Sequence, residues 1–248
     1  MRTFGLVGYP LGHSFSKGYF SNKFSENNIR DCIYENFPIE SISQLPEIIK
    51  ANKSLVGLNI TIPYKEAVIP YLDQLSDAAS AIKAVNTIKI VRNGDKVRLE
   101  GHNTDVIGFE KSLIKYQVIV PLKVLILGTG GASKAVKWVL EKSNTNIFFG
   151  ALDRMDDKHM SYEQISKLGL HEFKLIINAT PLGTYPDIES KPNLPYDTLQ
   201  PGTVLFDLVY NPPQTAFLRE GFIRNCKTIN GHYMLTQQAE ESWNIWNE

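Results

Sequence analysis

The chain has no net charge, because its 26 basic and 26 acidic residues cancel. A balanced chain offers no global field to nucleic acid or to an anionic membrane, so neither is expected as a partner and a phosphate-bearing ligand would need a local site. Cysteine is scarce. Cys32 and Cys226 lie far apart in sequence and match no metal spacing, which reads as a reduced, cytoplasmic protein. Long apolar runs are missing too. No stretch of about 18 apolar residues occurs, so no membrane-spanning helix is expected. The opening "MRTFGLVGYP" lacks the apolar core of a secretory signal. The 5 histidines do not cluster with Cys or Asp at ligand spacing, so no metal site is expected. Internal repeats and low-complexity tracts are absent as well.

What is present fits a folded enzyme-sized chain. The 248 residues suit one large domain or two modest ones. A hydrophobic fraction of 43% against 21% charged residues predicts a packed core. "TFGLVGYP" reads as a buried strand, and "SFSKGYFSNKFSENN" as a helix with Phe15, Tyr19 or Phe20, and Phe24 on one face. "CIYENFPI" alternates like a strand. "SISQLPEIIKAN" reads as a helix with Ser41 or Ser43 as its cap. "KEAVIPYLDQLSDAASAIK" reads as helical, interrupted at Pro70, and the "NGD" of "AVNTIKIVRNGDKVRLEGHNTD" marks a hairpin. Strand and helix alternate here, the pattern of a mixed α/β domain. "VIGFEKSLIKY" follows as a helix. "KLIINAT" and "TVLFDLVY" are apolar runs typical of buried parallel strands. "YMLTQQAEESWNIW" reads as a final helix with Leu235, Ala239, Trp243 and Trp246 on one face. The domain boundary is expected within "GHNTD", residues 101 to 105.

Between those two halves lies "LKVLILGTGGASKAVKWVLEKSNTNIFFGAL": apolar strand, glycine turn, helix, apolar strand. Gly128 and Gly130 match the first two positions of a dinucleotide fingerprint. The first allows the tight turn, and the second lets a pyrophosphate approach the backbone at a helix N-terminus. Ser133 stands where the third glycine would be. An acidic residue about 20 positions on favours NAD, and a nearby arginine favours NADP. This chain offers both, as Asp153 and Arg154.

"GLNITIPYKE", residues 57 to 66, reads as a strand, a proline and a lysine at a helix start. Leu58, Ile60 and Ile62 fall on one face, Asn59 and Thr61 on the other. A helix start disfavours a cation, so Lys65 there is expected to give up its proton readily.

Eight separated motifs keep one order: "GYPLGHSFS", "NITIPYK", "AVNTI", "GHNTD", "GTGGASKAV", "NATPLG", "DLVYNPPQT" and "GHYMLTQQA". Together they resemble the shikimate dehydrogenase family, nearly end to end, with only residues 147 to 169 poorly matched. The resemblance implies an α/β protein of two domains flanking a cleft. Residues 1–102, joined by the C-terminal helix 231–248, would bind shikimate. Residues 103–230 would form a Rossmann-like NADP-binding domain with a parallel sheet. The activity implied is the reversible NADP-dependent reduction of 3-dehydroshikimate to shikimate, with quinate as substrate or NAD as cofactor for a variant of the family. A non-catalytic nucleotide or metabolite sensor on the same fold is the alternative from another class, against which the Lys65 and Asp105 pair argues. A monomer or homodimer acting on a small molecule is expected.

By motif position, the resemblance places Ser14 and Ser16 on the substrate carboxylate. Asn59, Thr61 and Asn86 become ring-hydroxyl contacts, as does Asp105, which would also orient the catalytic base. Lys65 would be that general acid and base. Tyr210 and Gln238 would line the substrate. Gly128, Thr129, Gly130, Gly131, Ala132, Arg154, Thr180 and Gly231 would hold the cofactor. Asp153-Arg154-Met155 departs from the family's Asn-Arg-Thr phosphate reader. Several residues also have plain structural readings. Asp105 suits a helix first turn and the serines suit a cap. His13 and His102 adjoin motifs but read as structural loop histidines.

Overall fold

The computed structural model describes residues 1–11, 15–151 and 158–248. Two compact units emerge, Met1–Thr104 with Ala239–Glu248, and Asp105–Gln238.

The first unit is built on six strands: β1 (Arg2–Gly8), β2 (Cys32–Pro38), β3 (Leu55–Ile60), β4 (Gln74–Leu75), β5 (Thr87–Asn93) and β6 (Lys96–His102), with α1 (Phe15–Glu26), α2 (Leu45–Ala51) and α3 (Asp77–Ile82) connecting them. The sheet order is β2-β1-β3-β5-β6-β4. β1 pairs in parallel with both β2 and β3, which demands crossovers, and α1 and α2 supply them. β5 and β6 form the expected hairpin, Asn93 opposite Lys96 across Gly94-Asp95. Both faces of this sheet are covered. Val7 joins Leu45, Leu58, Ile60 and Ile88 in one cluster. Phe4 and Leu6 join Phe20, Phe24, Tyr34 and Trp246 in another. The period-2 alternation along β1 thus feeds two cores instead of one core and solvent.

The segment after β3 departs from the helical reading. Residues 65–68 form turns, a single 3₁₀ turn follows at Ile69–Tyr71, and no α-helix begins before Asp77. Pro70 lacks an N–H and pushes its predecessor away from helical angles. Asp73 then accepts the Leu99 N–H at 2.7 Å, which commits the segment to the edge of β6. Helix α3 starts only where Ser76 caps it, accepting from the Ala79 N–H at 3.3 Å.

The second unit runs α4 (Asp105–Lys115), β7 (Lys123–Leu127), α5 (Gly131–Leu140), β8 (Asn146–Ala151), β9 (His159–Ser161), α6 (Tyr162–Leu168), β10 (Leu175–Asn178), β11 (Val204–Asp207), α7 (Ala216–Phe222) and β12 (Lys227–Ile229). The sheet is parallel throughout, in the order β12-β11-β10-β7-β8-β9. "VLIL" of β7 and "LII" of β10 are fully buried, as a sheet covered on both faces requires. Leu125, Leu127, Ile176, Leu205 and Phe217 form the centre of its core. The last helix, α8 (His232–Asn247), belongs to the second unit up to Gln238 and to the first from Ala239. Among the described residues no helix is long and apolar enough to cross a membrane.

Candidate functional site

In the first unit, the motif segments are stitched together by backbone hydrogen bonds. The Ile60 N–H donates to Asn86 O at 2.8 Å, the Val85 N–H to Lys65 O at 2.7 Å, and the Asn86 N–H to His102 O at 3.0 Å. "NITIPYK", "AVNT" and "GHNT" are therefore one neighbourhood, though 18 residues separate Asn86 from Thr104.

Below these segments runs a buried polar string. Tyr34, on β2, hydrogen-bonds Ser16 of α1. Its hydroxyl donates to Asn59 Oδ1 at 2.8 Å. Burial pushes that hydroxyl far above the ordinary phenol range. Asn59 Nδ2 reaches Ser242 Oγ at 2.9 Å, Thr87 Oγ1 at 3.2 Å and Asn86 O at 3.3 Å. Asn86 in turn accepts the Thr104 N–H at 2.7 Å and donates to Thr104 Oγ1 at 3.0 Å. Buried amides demand such partners. Sequence reading missed Tyr34, Thr87, Thr104 and Ser242. Only the placement of Tyr34 within an alternating strand hinted at its inward orientation.

Asn59 is 4% exposed, and α8 covers its side of the strand through Ser242 and Trp246, whose ring fills the space beside Gly57. Two expectations for "GLNITIPYKE" need correction. Ile62, expected on the core face, is 70% exposed. The strand ends at Ile60, and a turn closed by the Tyr64 N–H on Thr61 O at 2.9 Å breaks the alternation. Thr61 is half-buried, with its N–H on Val7 O at 3.0 Å. Lys65 is also half-buried and stands in a turn, so the helix end expected beside it is not there. His102 is a half-buried histidine on β6, its imidazole held toward the neutral form by desolvation. Ser14 and His13 lie outside the described residues.

In the second unit, β7 ends at the glycine turn. Gly128 has φ +98°, a conformation that favours glycine. A Cβ there would also stand 3.1 Å from Thr180 Cγ2. Gly130 caps α5 with extended backbone and no capping side chain, and nothing lies within 4 Å of where its Cβ would be. Gly131 and Ala132 begin α5, and the glycine cap offers no side-chain acceptor to the N–H groups of its first turn. Ser133, in place of the third glycine, turns its hydroxyl back onto Gly130 O at 2.7 Å.

A cavity of about 760 Å³ opens at this turn, lined by Gly128, Thr129, Gly150, Ala151, Thr180 and Lys191 among others. Its dimensions suit a cofactor-sized ligand. The open N-terminal turn of α5, with its positive dipole end, fits the pyrophosphate of a dinucleotide. Sequence reading missed Tyr162, Lys191 and Asn193, which also line it. They come from segments with no recognisable motif. Arg154, with Asp153 and Met155, lies outside the described residues.

Thr180 is held from below. Its hydroxyl donates to Asn178 Oδ1 at 2.6 Å, and Asn178 Nδ2 donates to Asp207 Oδ1 at 2.9 Å. Asp207 also accepts the Val209 N–H at 3.0 Å and the Thr215 hydroxyl. Burial pushes its carboxyl up to about 6, against the pull of those three donors. Tyr210 follows, half-buried, with its hydroxyl raised by desolvation. Gly231 packs where a Cβ would meet Leu208 O at 2.2 Å, so only glycine fits beside the β11 exit. Gln238 is buried against α4 at Gly108, its amide nitrogen on Leu235 O at 2.9 Å. Asp105 is buried as the first residue of α4, where the helix dipole favours a carboxylate. Among the described residues no group of three or more His, Cys, Asp and Glu could hold a metal.

Comparison with known proteins adds four findings. The family model of the shikimate dehydrogenase substrate binding domain matches residues 6–88. A shikimate dehydrogenase (NADP(+)) of Methanococcus vannielii is 34% identical over 262 residues, covering 98% of this chain and 90% of that protein. Among solved structures, shikimate dehydrogenase 1 from Peptoclostridium difficile superposes with a TM-score of 0.88 at 36% identity, covering 100% of this chain and 92% of that one. A quinate dehydrogenase from Corynebacterium glutamicum in complex with NAD superposes with a TM-score of 0.85 at 26% identity, covering 99% of this chain and 93% of that one.

Proposed function

This chain belongs to the shikimate dehydrogenase family, and we propose that it catalyses the reversible, NADP-dependent reduction of 3-dehydroshikimate to shikimate. The observation that carries the proposal is the bare N-terminus of α5 at Gly130, open to an anion and opening on a cofactor-sized cavity. Residues 1–102 with 231–248 would bind the substrate, and residues 103–230 the cofactor. The backbone N–H groups from Gly128 to Ala132 would bind the pyrophosphate, with Thr180, Gly231 and Arg154 completing the cofactor contacts.

NADPH, when bound, supplies the hydride. Lys65 would hand a proton to the substrate's carbonyl oxygen as negative charge develops there, and take it back in the reverse direction. Asp105 would serve as its carboxylate partner. Ser14 and Ser16 would hold the substrate carboxylate, and Thr61, Asn86, Tyr210 and Gln238 its ring substituents. Asn59 would join those ring contacts, held in place by the buried string. We place the protein among cytoplasmic enzymes that act on small molecules as monomers or homodimers.

A second reading, quinate oxidation with NAD, has support from the similarity to the Corynebacterium enzyme. Both serines of "HSFS" favour shikimate. Oxidation of shikimate and quinate, each with NADP and NAD, followed at the reduced-nicotinamide absorbance band, separates the readings. The expected outcome is the highest kcat/KM for shikimate with NADP. A highest value for quinate with NAD would establish the alternative.

A further inference from the structure

Gly150 and Ala151, at the C-terminal end of β8, line the cavity at the glycine turn together with Lys191 and Asn193. In a dinucleotide fold the adenosine ribose sits at the end of the strand that follows the glycine-turn helix, and a 2′-phosphate comes to the same place. That strand is β8 here. Lys191 is the one charged side chain among the described residues lining the cavity.

The partners of Lys191 leave it available. Its ammonium pairs with Glu220, but that carboxylate has a second cation, Arg224 Nη1, at 2.5 Å. Arg224 is anchored there independently by the Glu220 carbonyl at 2.9 Å. Two cations on one carboxylate leave one positive charge in excess, and Glu220 stays paired if Lys191 departs. The Lys191 side chain is 37% exposed, and besides Glu220 its ammonium faces the Tyr196 ring, 5.3 Å from the centroid, a contact worth less than a charge-assisted hydrogen bond to a phosphate. A phosphate dianion is a stronger acceptor than a carboxylate already shared.

We propose that Lys191 is a specificity-determining residue that leaves the Glu220 pair to contact the 2′-phosphate of NADP. The proposal rests on the NADP reading above.

The test titrates 2′,5′-ADP and 5′-AMP into the full-length protein by calorimetry, for wild type, Lys191→Ala and Lys191→Arg. The wild type is expected to prefer 2′,5′-ADP. Lys191→Ala should shrink that preference about 10-fold, the scale of one charge-assisted hydrogen bond, and Lys191→Arg should restore most of it. Lys191→Gln, which keeps most of the stem's length, serves if the alanine variant unfolds. An undiminished preference in Lys191→Ala overturns this proposal alone. A wild type with no preference for 2′,5′-ADP overturns the NADP reading and this proposal together.

Discussion

Lys65 shows how a single residue can be placed without a helix to place it. Its carbonyl is pinned by the Val85 N–H at 2.7 Å, which ties the lysine to "AVNT" and through Asn86 to Thr104. The backbone is therefore fixed, while the side chain stays half-buried. A fixed backbone under a half-buried ammonium suits a group that must give and take a proton. Lys65→Ala should lower kcat by about 10²- to 10⁴-fold and leave the shikimate dissociation constant within about threefold. Steady-state kinetics beside equilibrium dialysis of shikimate reads both. Near-normal turnover would remove Lys65 from the chemistry.

At the scale of elements, Asp207 ties together three chain segments: the end of β10 through Asn178, the start of α7 through Thr215, and the turn at Val209. That tie sets up a pH dependence. Unfolded, the carboxyl titrates near ~3.9; folded, it is raised to about 6. Its protonated form therefore favours the folded state. The contribution is fully present below ~3.9 and is lost as pH rises through the folded value. Asp207→Asn cannot ionise. Its stability relative to wild type should improve by on the order of 2 kcal/mol between pH 4 and pH 7. Urea unfolding of both proteins at the two pH values measures the difference, and a pH-independent gap would show that Asp207 does not titrate there.

For the whole molecule, the division into units has a consequence along the chain. The second unit is one continuous stretch, Asp105–Gln238, whereas the first needs Ala239–Glu248 to be complete. Trp246 stacks on Phe4 with ring centroids 4.9 Å apart and lies 5.5 Å from Phe20. Its Nε1–H donates to Ile88 O at 3.0 Å. Losing one buried Trp costs about 3–5 kcal/mol, a large share of a domain's stability. A chain ending at Gln238 should lose amide hydrogen-exchange protection across β1 and β3 and keep it across β7 and β10. Retained protection in β3 would show that the last ten residues are dispensable to the first core.

The sequence by itself determined what depends on near neighbours. The "NGD" hairpin, the glycine turn at the head of α5, the apolar parallel strands and the final helix follow from turn chemistry and from periods of 2 and 3.6 residues, which the chain carries locally. Short elements escaped that reading. β9 and β12 are three residues long and α6 and α7 seven, too short for a period to register. α6 opens on a capping box of Ser161 and Gln164, a signal of turn chemistry that a search for periods passes over. Tertiary structure alone decided which faces are covered. Alternation along "LNITI" separates two faces but cannot say that both are buried. Asn59 is enclosed by Ser242, 183 residues away, and Lys191 reaches the glycine-turn cavity from a loop 63 positions beyond Gly128. A buried amide takes its partners wherever the fold brings donors and acceptors within about 3 Å, and sequence distance does not enter that condition.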